Sequence, residues 1–241
     1  MRASACTYEA TGERFWWHRR VRVAAVAATL VVGSCSSPSG PTPSPGGAGG
    51  PGVPDFVNCS LFPDSRSAAY VLPFAVGRQF RVSRTFDHHT PLNGGVGLYA
   101  VDIVMPIGTP VHAVRAGTVV AVEERFSDDD HADFHENWVM VRHADETVAR
   151  YIHLTTNGAV VDVGDVVVQG QLVGLSGNSG ASSGPHLHFD VQTCGPNLPP
   201  GYNRLPCGMT VPLSFRNTIP HSCGLEAGRS YTAEGFVADS R

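Results

Sequence analysis

His186 and His188, in the run Ser183-Gly184-Pro185-His186-Leu187-His188-Phe189-Asp190, are the side chains of this sequence best placed to do chemistry. In an extended strand, residues two apart point to the same face, so the two imidazoles stand side by side. Imidazole is suited both to metal binding and to proton transfer near neutral pH. The preceding loop, Ser176 to Gly184, is rich in Gly and Ser and reads as a turn into that strand. Other candidate ligands are spread along the chain. Asp102 is a carboxylate inside the apolar run Tyr99 to Val104, where a charge is costly unless it is paired or metal-bound. His153 lies in Tyr151-Ile152-His153-Leu154, and His88 and His89 precede Asp102. Taken singly, Asp102 reads as a strand-edge carboxylate and His153 as a hydrogen-bonded core histidine. Taken together, a His, an Asp and a His with an open fourth position suit a catalytic zinc.

The elements that must position these residues are short strands. Tyr99–Val104, Val111–Val114, Thr118–Val122, Trp138–Arg142, Thr147–His153, the span 160–174 and Leu187–Gln192 are β-branched or apolar runs divided by Gly, Pro and Asp turns. No segment holds a long 3.6-residue period. The chain is therefore expected to be all-β, with antiparallel sheets packed into a sandwich or flattened barrel. Phe126 to Asn137, with Asp128, Asp129, Asp130, His131, Asp133 and His135, reads as a solvated hairpin tip. His112, His143 and His221 read as structural or exposed.

The first 55 residues read as targeting segment and tether. Arg14, Arg19, Arg20 and Arg22 precede the apolar run Val23–Val32, which is too short to span a bilayer as a helix. Val32-Gly33-Ser34-Cys35 resembles the lipobox of bacterial lipoproteins, which implies lipidation of Cys35 and a membrane anchor; an ordinary signal peptide cut near Ser34 is the alternative. The Ser, Pro and Gly of 36–54 have almost nothing to bury and read as a disordered, flexible tether. The expected organisation is a signal peptide at 1–34, a tether at 35–55, a catalytic domain at 56–225 and a carboxy-terminal segment at 226–241. All 17 basic residues are Arg. Without the first 34 residues, 12 basic and 19 acidic residues remain, a net charge of −7, which gives nucleic acid no basic surface. Of the six Cys, Cys59, Cys194, Cys207 and Cys223 remain for an exported domain, an even number that suggests two disulfides. Of the three pairings, Cys194–Cys207 with Cys59–Cys223 is favoured, the first closing a Gly/Pro-rich insertion and the second tying the domain's ends.

The order of motifs adds a family resemblance. Asp102 with Gly108-Thr109-Pro110-Val111, Gly117-Thr118-Val119-Val120, His153-Leu154, Val163-Gly164-Asp165 with Gly170-Gln171, and Ser183 to Phe189 resemble the lysostaphin-like (LytM-type) zinc metallopeptidases. The similarity runs over about residues 70–220. It implies a duplicated hybrid motif of antiparallel sheets, a bound Zn2+, and hydrolysis of peptide bonds in peptidoglycan stem peptides or cross-bridges. It also implies that Asp102 and His188 are zinc ligands, and that His153 and His186 handle the water and the developing oxyanion. One position departs from the pattern. The family's first ligand stands four residues before the Asp, where this chain has Leu98. An insertion at 91–97 then separates the ligand from Asp102, and His89 is favoured over His88 to supply it. The alternative is a catalytically degenerate domain that binds wall or a regulatory protein partner. A lipoyl or biotinyl carrier, which shares the 163–171 hairpin grammar, is excluded by the absence of any Lys. The expected location is exported: the periplasmic face of a membrane or the cell surface.

Overall fold

A computed structural model describes residues 57–86, 97–193 and 210–238. The leader, Cys35, the tether, His88, His89, Cys194 and Cys207 lie outside the described residues.

The described chain is all-β, as expected, with one short 3-10 turn at Cys59–Leu61. The strands are β1 (Gln79–Thr85), β2 (Val101–Val104), β3 (Pro110–His112), β4 (Gly117–Glu123), β5 (Trp138–Arg142), β6 (Thr147–Ile152), β7 (Leu154–Ala159), β8 (Val166–Val167), β9 (Leu172–Ser176), β10 (His186–Thr193) and β11 (Ser230–Thr232). Eight form one sheet in the order β11-β1-β2-β10-β6-β5-β4-β8, and β3, β9 and β7 form a second. Every pairing between these strands is antiparallel. β11 pairs with β1, so the large sheet takes in residues of the 226–241 segment.

Alternation along the central strands explains how a polar face survives in this sheet. Leu187, Phe189 and Val191 of β10, Ala149 and Tyr151 of β6, and Val139 and Val141 of β5 point into the main core. Each large side chain so buried contributes about 1.5–3 kcal/mol. Their neighbours, His186, His188 and Asp190 on β10 and Arg150 on β6, then stand on the opposite face. Leu187 is fully buried between the two histidines and fixes the phase of the strand. A slip of one residue would turn both imidazoles into the core.

β10 lies between β2 and β6, and this order assembles residues distant in sequence. His188 is opposite Asp102 on one side and opposite Ile152 on the other. His153 follows Ile152 at once. The strand expected to run through His153 ends one residue earlier, because His153 adopts a left-handed backbone with φ of 63° and breaks the ladder.

Candidate active site

Asp102 and His188 form the centre of the site. The His188 Nδ1–Asp102 Oδ1 distance is 2.9 Å, and both side chains are largely buried. His186 Nε2 is 3.6 Å from the same carboxylate oxygen. The other edge of His188, Nε2, lies 3.4 Å from Asp190 Oδ2. Burial alone would lower the His188 pKa. The Asp102 and Asp190 carboxylates outweigh it and push the ring up to about 9.

His186 and His153 differ from His188 in what holds them. His186 Nδ1–H donates to the Gly184 carbonyl at 2.8 Å, and His153 Nδ1–H donates to the Ser179 carbonyl at 2.7 Å. A carbonyl oxygen only accepts, so each neutral ring carries its proton on Nδ1 and its lone pair on Nε2. The two rings lie 4.6 Å apart between centroids, and His153 is 6.0 Å from His188. Burial, with His186 and His188 nearby, pushes the His153 pKa down to about 3, so this ring is neutral at physiological pH.

The surrounding loops are stitched to one another. Ser179, whose carbonyl holds His153, also donates from Oγ to the Leu154 carbonyl and accepts the Asn137 N–H. Asn137 donates from Nδ2 to the carbonyls of Phe126 and Leu154. Gly180 has a φ of 73°, and a Cβ there would stand 2.4 Å from Glu136 Cγ. The tip of loop 126–137 is solvated, as the sequence reading has it, with residues 131–134 exposed, but its base is tied to the site. Asp128 accepts the Asn178 N–H at 2.7 Å and the Thr155 hydroxyl, and Glu136 and Asn137 are buried, meeting Ala181 and Ser179. Acidic residues satisfied by backbone N–H groups lose the reason to face water.

The residues fit zinc by their donor chemistry. A carboxylate oxygen and an imidazole nitrogen 2.9 Å apart fall within reach of one ion with bonds of about 2.0–2.2 Å. Three imidazoles and one carboxylate share the site. Among the described residues no group of three His, Cys, Asp or Glu side chains forms a complete cation site. Both candidates for a further ligand, His89 and His88, lie outside them.

Of the sequence candidates, the structure brings together Asp102, His153, His186 and His188. Three other histidines are structural. His112 Nδ1 bonds the Gly170 carbonyl, His143 Nδ1 bonds the Ala116 carbonyl, and His221 Nε2 accepts the Phe215 N–H. Sequence reasoning missed the carbonyls of Ser179 and Gly184, which have no side-chain signature, and Arg150, which bonds Asp190. The spacing of Arg150 and Asp190 on two polar-face strands was a signal, but only the strand register turns it into a contact.

Similarity to known proteins agrees with this geometry. A family profile described as Peptidase family M23 matches residues 97–200, a span that contains all four of these side chains. Peptidoglycan DD-endopeptidase ShyA of Vibrio cholerae is 32% identical over 142 residues, covering 58% of this chain and 31% of that protein. Lysostaphin of Staphylococcus staphylolyticus is 39% identical over 99 residues, covering 41% of this chain and 19% of that protein. The chain thus spans less than a third of the length of these two relatives. The solved catalytic domain of lysostaphin from Staphylococcus simulans is 30% identical, covers 48% of this chain and 79% of that one, and has a TM-score of 0.34.

Proposed function

The chain belongs to peptidase family M23 through residues 97–200, and on that premise we propose that it is an exported zinc endopeptidase acting on peptide bonds of peptidoglycan stem peptides or cross-bridges. The observation that carries this reading is the buried pair of Asp102 and His188 beside two imidazoles whose Nδ1–H groups are held by backbone carbonyls and whose Nε2 atoms are free of the backbone. His89, Asp102 and His188 would hold the metal. Zinc, when bound, acidifies a water toward a pKa of about 7 and polarises a carbonyl oxygen.

The rest is the work of the chain's own side chains. One of the two imidazoles, His153 or His186, accepts the water proton at Nε2, and the Ser179 or Gly184 carbonyl steadies the charge through Nδ1–H. The other ring presents a lone pair at Nε2 in its neutral form, so it donates to the oxygen that gains charge as the carbonyl becomes tetrahedral only when it is itself protonated there. The proton then passes from Nε2 to the departing amine nitrogen, which restores the neutral ring. Loop 126–137, pinned by Asp128, keeps both imidazoles fixed during this exchange.

The leader and tether give the location. Lipidation of Cys35 would hold the domain at the periplasmic face of a membrane or at the cell surface, with 35–55 as spacer. Among the described residues no helix is long and apolar enough to cross a membrane.

Metal analysis of the purified full chain, together with release of new amino groups from purified peptidoglycan, tests the proposal. We expect one zinc per chain and release that stops with a chelator and in a His89→Ala variant. A chain without zinc sinks the metal assignment. A zinc-loaded chain that binds walls yet releases nothing favours the regulatory, wall-binding reading.

A further inference from the structure

Behind the site lies a buried ion pair that proton transfer does not use. Asp190 is two residues beyond His188 on β10, on the same face, and is fully buried. Arg150 stands directly opposite it in register on β6. Arg150 Nε donates to Asp190 Oδ1 at 2.8 Å, and Nη2 donates to Oδ2, so the guanidinium grips the carboxylate with two parallel bonds. A third, longer contact joins Oδ2 to His188 Nε2 at 3.4 Å.

A buried ion pair is weak evidence for stability, because desolvation of both charges offsets their attraction; apolar residues of similar volume often do as well. This pair is therefore better explained by what it orients. The two edges of His188 meet two carboxylates, Asp102 at Nδ1 and Asp190 at Nε2. Asp190 is locked by Arg150 and cannot turn away, whereas Asp102 Oδ1 also lies 3.6 Å from His186. A ligating imidazole needs one lone pair for the metal and a fixed place for its remaining proton.

We propose that Arg150 and Asp190 are positioning residues for His188: Asp190 holds the proton at Nε2 and so leaves the Nδ1 lone pair to a divalent cation shared with Asp102. The inference rests on the zinc reading above. Arg150 contributes at second hand, by holding the Asp190 carboxylate in place with two hydrogen bonds.

The test is zinc affinity of the metal-free full chain, measured by competition with a chelator. In Asp190→Asn we expect affinity to fall about 10–100-fold. That variant leaves Arg150 buried without its charge partner and can fail to fold. The double variant Arg150→Met with Asp190→Leu removes both charges together and supplies the second measurement. We expect it to melt near the wild-type temperature and still to lose the same factor in zinc affinity. A merely structural pair predicts wild-type zinc affinity in whichever variant folds, and that result overturns the inference. A wild-type chain that binds no zinc overturns this inference and the zinc reading together; wild-type binding matched by the variants overturns this one alone.

Discussion

A histidine serves hydrolysis only when its proton sits on a known nitrogen. Here backbone carbonyls settle that for His153 and His186, while carboxylates face both edges of His188. The roles then separate by substitution. His188→Ala should abolish zinc retention, measured as metal per chain after dialysis. His186→Ala should keep its zinc and lose about 10²–10⁴-fold in turnover. Full turnover by a zinc-loaded His186→Ala protein would remove that ring from proton transfer. His186, His188, Asp102 and His153 were legible because residue type and spacing point to their chemistry. The Ser179 and Gly184 carbonyls were not, since every residue has one and only the fold decides where it points.

At the level of elements, periodicity foretold that His186 and His188 share a face, and the β-branched runs foretold the sheets. Neither foretold that β10 would lie between β2 and β6, which is what brings Asp102 and Ile152-His153 to its two sides. Adjacency of strands far apart in sequence depends on the packing of the whole core, not on local pattern. The loop 126–137 shows the same limit from another side. Its tip is solvated, as its composition implies, yet at its base Asp128 ties Asn178, next to Ser179, and Thr155, two residues past His153. Asp128→Ala leaves a half-buried N–H and a half-buried hydroxyl without their acceptor. It should cost about 1–3 kcal/mol in denaturant unfolding and lower turnover without lowering zinc content. Gly180→Ala attacks the same contact sterically, since its Cβ would stand 2.7 Å from the Glu136 backbone nitrogen at a φ that disfavours side chains. Its melting temperature should fall, and Glu136→Ala, which removes only the side-chain part of the clash, should restore it in part.

For the molecule as a whole, stability should depend on pH through a histidine remote from the site. His143 is buried, its Nδ1–H is committed to the Ala116 carbonyl, and its Nε2 has no hydrogen-bond partner among the described residues. Burial pushes its pKa down from 6.5 to about 4. An unfolded chain takes up a proton near pH 6.5, whereas the folded chain does so only near 4. Stability is therefore whole above pH 6.5 and is lost as pH falls from there toward 4, by up to about 3 kcal/mol. In urea melts at pH 7.0, 5.5 and 4.5 this group should account for about 2 kcal/mol of lost stability, seen as a shallower slope in His143→Gln than in the wild type.

The Cys59–Cys223 bond is the other whole-molecule constraint. It pairs the two cysteines favoured from sequence and closes a loop with a separation of 164 residues. Breaking it in a Cys59→Ala/Cys223→Ala variant should cost about 2–4 kcal/mol, read from the denaturation midpoint. The same bond has a mechanical consequence. A pull applied at residues 59 and 223 crosses from sulfur to sulfur, so β1 to β10 between them bear no tension. Reduction would shift that load onto the β-ladders, and a force that the oxidised protein passes along its margin would then act on the strands that hold Asp102 and the histidines.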